Sequence, residues 1–131
     1  MHLIIDGYTD NQEILRDEGF LKSWLESYPA RIGMTRISTP YVVRYVGQPL
    51  HDWGLSGFVF IAESHIGIHT FVERNYVNID VFSCRDFDSE QATEDFREGF
   101  HLVKLRTCLI DREWPEAERV KTHPQGFTYH E

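Results

Sequence analysis

Apolar and polar residues follow one another along the chain with two distinct periods, which predict strands and helices in separate groups. Apolar or alternating runs rich in β-branched and aromatic residues predict strands. These segments are residues 2–8, 33–38, 41–46, 55–62, 66–71, 77–82 and 101–110. In segment 77–82 the apolar residues occupy every second position, so one face is expected in the core and the other is mixed. Cys84 continues the mixed face beyond this strand.

Two other segments have the spacing of helices that bury one side. Asp10, with Glu13 three residues later, predicts the start of the first helix, which we expect to end just before Pro29. Asp88, with Gln91 three residues later, predicts the start of the second. The apolar residues at helical spacing are Ile14, Leu21, Leu25 and Tyr28, then Ala92, Phe96 and Phe100. Consecutive strands with few helices predict an α+β fold, with two helices on one face of a mainly antiparallel sheet.

Length and composition limit the kind of protein. A chain of 131 residues, 41% of them apolar, predicts one globular domain, small enough for its active site to need a second subunit around it. The net charge of −8 argues against binding to nucleic acid or to an anionic membrane surface, because both depend on basic residues. Residues 1–112 form the predicted domain, and residues 113–131 a polar tail that we expect to be mobile.

The cellular setting is predicted from what the sequence does not display. No signal-peptide pattern opens the chain, and no apolar run approaches the ~20 residues of a membrane span. We therefore expect a cytoplasmic protein whose two cysteines, Cys84 and Cys108, are free thiols. Cys108 lies in an apolar strand pattern and is interpreted as core filler.

In residues 55–73, the pattern of apolar and polar residues is inconsistent with a strand that only contributes to the hydrophobic core. An apolar strand pattern ends abruptly at Glu63, Ser64 and His65, and a second histidine, His69, follows within the next apolar run. Local inconsistencies of this kind are expected at functional sites. Taken as residue types alone, Ser64 is an ordinary turn serine and His69 a hydrogen-bonded strand histidine.

The spacing of these residues resembles a known family. The sequence Glu63-Ser64-His65, with His69 five residues after the serine and Cys84 twenty residues after it, is similar to the bacterial and archaeal S-adenosylmethionine decarboxylases. These are small pyruvoyl enzymes of polyamine synthesis. The resemblance extends over about residues 2–112. It implies a two-layer sandwich and a homodimer of cleaved protomers, with active sites at or near the interface.

The resemblance also implies how the chain makes its cofactor. Ser64 attacks the carbonyl of Glu63, the peptide bond becomes an ester, and β-elimination followed by hydrolysis leaves a pyruvoyl group at residue 64. His69 takes the α-proton during elimination, a task that suits a neutral imidazole. Backbone strain and a positioned base lower the barrier to such a rearrangement. The pyruvoyl carbonyl can form a Schiff base with the substrate amine and act as an electron sink, as pyridoxal phosphate does elsewhere.

Further site residues follow from the same resemblance. Cys84 is the general acid that returns a proton to the substrate after carbon dioxide leaves, Glu73 binds the ribose hydroxyls, and Ser56 lines the site. From residue type alone, Ser56 is a turn serine and Glu73 a solvated acid beside Arg74. His65 receives no separate role.

Some positions depart from the family pattern. Val72 stands before Glu73 where proline is common, and Arg85 follows Cys84 where a small residue is frequent. The candidates for stacking on adenine are Trp53 and Phe71.

Three alternatives remain open at this stage. The same chemistry could act on arginine or ornithine, for which Asp52 is a conceivable extra carboxylate. His65, His69 and Cys84 are also metal-ligand types, although their spacing gives no support to a zinc site and no metal is predicted. An uncleaved homologue acting as a regulatory or binding subunit is the alternative from a different functional class.

Overall fold

The fold is one six-stranded antiparallel sheet with helices on one face. The computed structural model describes residues 1–49 and 52–113; of the predicted tail, all but Glu113 lies outside the described residues. The strands run in the order β2-β3-β4-β5-β1-β6 across the sheet. Their bounds are β1 His2–Thr9, β2 Tyr41–Val46, β3 Trp53–Ile61, β4 Ser64–Phe71, β5 Tyr76–Phe82 and β6 Leu102–Ile110. This confirms the predicted α+β class.

One face of the sheet forms the core together with the helices. Successive strand residues point to opposite faces, and on β5 the alternation is complete: Val77, Ile79 and Val81 are fully buried and their neighbours are not. Three helices pack over this face, α1 Gln12–Arg16, α2 Glu18–Arg31 and α3 Ser89–Gly99. None of the helices in the described ranges has the length and apolar character to cross a membrane.

The first predicted helix is in fact two helices, so the expectation of two helices in total was wrong. Asp17 has extended backbone angles, which end α1, and its side chain accepts a hydrogen bond from the Phe20 amide at 2.9 Å, which begins α2. Asp10 does not cap α1; Asn11 occupies that position without a side-chain bond. The start of α3 is confirmed, because Asp88 accepts from the Gln91 amide at 2.9 Å.

Two further expectations were wrong near the end of α2. The helix continues past Pro29 to Arg31. Pro29 has no N–H to donate, but its carbonyl accepts from the Ile32 and Met34 amides that follow. Segment 33–38 is not a strand. It forms one isolated bridge, Arg36 with Ile61, before Pro40, which has no N–H to continue pairing.

No helix of the described residues covers the opposite face of the sheet, and this face carries most of the polar side chains of interest. On the three central strands this open face presents Ser56, Phe58, Phe60, His65, His69, Asn78, Asp80 and Phe82. The turn between β3 and β4 lies at one end of these strands, and the short 3-10 helix Val72–Arg74 lies at the other.

Candidate active site

The tight turn between β3 and β4 holds a strained residue. Ile61 pairs with Ser64 across the turn, so only Ala62 and Glu63 connect the strands. Glu63 has a φ of 60°, in the left-handed region that disfavours residues with a Cβ. The peptide bond between Glu63 and Ser64 therefore follows directly on a residue held in a costly conformation.

Cys84 contacts both sides of this peptide bond. Its backbone N–H donates to the Ser64 Oγ at 3.2 Å, and its thiol donates to the Glu63 carbonyl oxygen at 2.9 Å. A donor at the carbonyl oxygen withdraws electron density from the carbonyl carbon, and a donor at Oγ stabilises negative charge there. The arrangement can therefore promote attack of the Ser64 hydroxyl on the Glu63 carbonyl.

The sheet register brings Cys84 to this position. His65 on β4 pairs with Phe82 on β5, so the chain two residues beyond Phe82 lies beside the turn. Ser83 is fully buried, and its hydroxyl donates to the Arg85 carbonyl at 2.7 Å and accepts from the Arg85 amide at 2.9 Å. These bonds fix the bend after β5 and leave the exposed Cys84 side chain directed at Glu63. Cys84, predicted to lie on the mixed face of this strand, therefore points its thiol at a polar group, the Glu63 carbonyl.

A second cluster lies toward the other end of the same strands. Ser56 on β3 and His69 on β4 are paired in register, and Ser56 Oγ lies 2.9 Å from His69 Nδ1. They line a cavity of about 210 Å³. Its lining is Tyr45, Asp52, Trp53, Gly54, Ser56, His69, Thr70 and Phe71. Glu73 adjoins this cavity through Trp53, whose indole N–H donates to Glu73 Oε1 at 3.2 Å.

The two clusters do not meet within one chain. Ser64 and His69 are five residues apart on β4, a separation of about 17 Å at the usual strand rise. Because the separation is odd, their side chains also point to opposite faces; Ser64 is 8% exposed on the helix side, and His69 is exposed on the open face. The structure groups Glu63, Ser64 and Cys84 at one end and Ser56, His69 and Glu73 at the other.

His65 lies on the open face between the clusters, in an aromatic setting that sequence reasoning missed. Its ring stacks on Phe58 with centroids 5.0 Å apart, and Phe82 lies 5.2 Å away on the other neighbouring strand. Burial against these rings, together with the nearby His2, lowers the pKa of His65, so the neutral imidazole is favoured. The alternating pattern of β4 is enough to predict that His65 lies on this face. It does not predict which rings of the neighbouring strands contact it.

The zinc alternative does not fit the geometry. His65 and His69 are four residues apart on one strand, about 13 Å at the usual rise, whereas ligands of one zinc ion lie about 2 Å from it. Over residues 1–49 and 52–113, no three His, Cys, Asp or Glu side chains are grouped as metal ligands. Cys108, expected as core filler, is exposed on the edge strand β6. That expectation was wrong because Cys108 pairs with Ile4 of β1, whose neighbours Leu3 and Ile5 face the core, so Cys108 lies on the open face of an edge strand.

Comparison with known proteins identifies the family. The sequence profile described as S-adenosylmethionine decarboxylase matches residues 1–113. The chain belongs to this family. A relative from Archaeoglobus fulgidus, named S-adenosylmethionine decarboxylase proenzyme, is 31% identical over 112 residues, covering 85% of this chain and 95% of the relative. A relative of the same name from Synechococcus sp. (strain WH7803) is 32% identical over 117 residues, covering 88% and 87% of the two chains.

A solved structure has the same fold. The crystal structure of the adenosylmethionine decarboxylase from Aquifex aeolicus superposes with a TM-score of 0.64, at 23% identity, over 88% of this chain and 95% of that one. The two-layer arrangement of a single sheet and its helices is therefore the fold of an S-adenosylmethionine decarboxylase of known structure.

Glu63→Gly tests the strain at the turn. In a Ser64→Ala background, which keeps the chain intact, we expect this change to raise the free energy of unfolding by about 1 kcal/mol, because glycine adopts positive φ without the Cβ penalty. Urea unfolding at one fixed protein concentration measures it. The matched control is Ala62→Gly, one residue earlier and without a positive φ, which should lower stability by about 0.5–1 kcal/mol. Equal effects at both positions would contradict strain at Glu63.

Proposed function

We propose that the chain cleaves itself between Glu63 and Ser64 and uses the resulting pyruvoyl group to decarboxylate S-adenosylmethionine. The observation that carries the proposal is the double contact of Cys84 with the Glu63 carbonyl and the Ser64 hydroxyl. Membership of the family and the name proenzyme borne by both relatives support it. The product would be the aminopropyl donor for spermidine synthesis.

The cleavage chemistry uses groups that the turn already holds. The Ser64 Oγ bonds to the Glu63 carbonyl carbon and gives up its proton, the C–N bond breaks, and the freed nitrogen takes a proton, so that an ester replaces the amide. Loss of the residue 64 α-proton then expels the Glu63 carboxylate and leaves dehydroalanine. Water replaces its amino group as ammonia and yields the pyruvoyl carbonyl. Strain at Glu63 and the Cys84 thiol on the carbonyl oxygen both favour the first step.

The pyruvoyl carbonyl supplies an electron sink for the carbanion that decarboxylation generates. The remaining roles belong to side chains of this chain. Cys84 adjoins residue 64, so its thiol is placed to return a proton to the substrate carbon after carbon dioxide leaves. Glu73, beside the cavity, accepts hydrogen bonds from the ribose hydroxyls, and Ser56 lines the same cavity.

A second copy of the chain completes the site in this proposal. His69 cannot remove the α-proton of Ser64 in its own chain, because the two residues lie about 17 Å apart along one rigid strand. A two-fold dimer would let each protomer supply Ser56, His69 and Glu73 to its partner's Ser64 and Cys84. The open face is suited to such contact, since it exposes large apolar side chains that a partner would cover. These include Tyr41, Val43, Tyr45 and Phe60.

The arginine and ornithine alternative gains no support from Asp52. This carboxylate lies on the cavity wall but pairs with Arg74 at 3.1 Å, so its charge is already compensated. We therefore retain S-adenosylmethionine as the proposed substrate.

The decarboxylation proposal predicts release of carbon dioxide from carboxyl-labelled S-adenosylmethionine by the purified protein. Ser64→Ala should abolish the activity, because no pyruvoyl can form, and arginine and ornithine should give no release. Steady-state release of labelled carbon dioxide from each of the three substrates measures this. Activity on a diamino acid alone would overturn the substrate assignment, and activity retained by Ser64→Ala would overturn the cofactor assignment.

The shared site predicts complementation between two inactive chains. Ser64→Ala and His69→Ala, expressed alone, should each remain uncleaved. Expressed together with different tags, they should yield mixed dimers in which the His69→Ala chain is cleaved, because its Ser64 meets the intact His69 of the other chain. Denaturing gel electrophoresis with tag-specific detection measures cleavage of each chain. Failure of the co-expressed His69→Ala chain to cleave, with mixed dimers isolated through both tags, would contradict the shared site.

A further inference from the structure

The carboxylate of Glu73 is held in place by a residue twenty positions earlier in the chain. Glu73 is exposed and lies in the 3-10 helix Val72–Arg74, where a common proline of the family is replaced by Val72. The indole N–H of Trp53 donates to Glu73 Oε1 at 3.2 Å. Among the described residues, Trp53 is the only one that donates a hydrogen bond to the Glu73 carboxylate.

The backbone around Glu73 is anchored separately from its side chain. The Gln12 side chain donates to the Val72 carbonyl at 2.9 Å, and Asn75, with a φ of 54°, closes the turn by donating its N–H to the same carbonyl at 3.1 Å. Val72 itself is fully buried in the core. These contacts fix the backbone position of Glu73. The hydrogen bond from the indole fixes the orientation of its carboxylate.

Trp53 is poorly placed to stack on a base. The guanidinium of Arg44 lies over its ring, 4.5 Å from the centroid, and that of Arg16 lies 5.8 Å from it. The register that pairs Val46 with Trp53 puts Arg44 on the diagonally adjacent position of β2. Because arginine side chains lie over its ring, Trp53 acts on the cavity through its N–H, which holds the Glu73 carboxylate.

We propose that Trp53 is a positioning residue that aims the Glu73 carboxylate at a vicinal diol in the cavity, and that it does not stack on adenine. The inference rests on the proposed function, and it explains how the ribose diol of the substrate is recognised. The indole occupies one lone pair of Oε1 and leaves the other carboxylate lone pairs for two hydroxyl donors. A carboxylate already held in the binding orientation loses less conformational freedom when the diol arrives.

Trp53→Phe removes the N–H and keeps an aromatic ring. Loss of a hydrogen bond to a charged group predicts that the KM for S-adenosylmethionine rises about tenfold while kcat stays within about threefold. The 2′-deoxy and 3′-deoxy analogues of S-adenosylmethionine test the mechanism. The wild type should strongly prefer the natural substrate over at least one analogue, and Trp53→Phe should lose most of that preference. Adding Glu73→Gln to Trp53→Phe should bring little further loss, because the two side chains act as one unit.

Trp24→Phe is the matched control. Trp24 lies in the helix layer against Tyr28 and Phe96, away from the cavity, so this change should leave the preference for ribose hydroxyls intact. Normal self-cleavage of Trp53→Phe, seen as two fragments by mass, shows that the variant folds. A cleaved Trp53→Phe with unchanged KM, or with undiminished preference for the hydroxyls, would overturn this inference alone. A wild type that does not turn over S-adenosylmethionine would overturn the proposed function and this inference with it.

Discussion

The antiparallel register of β4 between β3 and β5 is the constraint on which the candidate site depends. Pairing of Ile61 with Ser64 forces a two-residue turn and a left-handed Glu63, and pairing of His65 with Phe82 carries Cys84 to the same turn. A shift by one residue would turn every side chain of β4 to the other face and bury His69 in place of Ile68. The fully buried aliphatic residues of β4 and β5 resist that shift, so core packing holds the reactive turn together.

The same strand geometry separates the groups that the chemistry needs to combine. A rigid strand fixes Ser64 and His69 far apart and on opposite faces, so no side-chain rotation within one protomer brings them together. The described residues form one sheet and one layer of helices, and no helix among them covers the second face of the sheet. In the proposed dimer, a site shared between two chains would bring both clusters to one substrate.

Much of this could be predicted from the sequence, and the failures have physical causes. The alternation in β5 located its core face, and Asp88 with Gln91 located the start of α3, because both signals are local. Asp17 was missed since one extended residue can break a helix without a proline or glycine to mark it. The separation of Ser64 from His69 follows from their odd spacing on a strand. The bond from Trp53 to Glu73 does not, because it depends on how distant segments pack.

The intact mass of the purified chain under denaturing conditions is the decisive measurement for self-cleavage between Glu63 and Ser64. Self-cleavage predicts two fragments, residues 1–63 and 64–131, the second lighter by one ammonia than a fragment that begins with serine. A single mass for the full chain, unchanged after long incubation, would contradict self-cleavage at the strained turn. It would leave an uncleaved binding or regulatory homologue as the better account of the same fold.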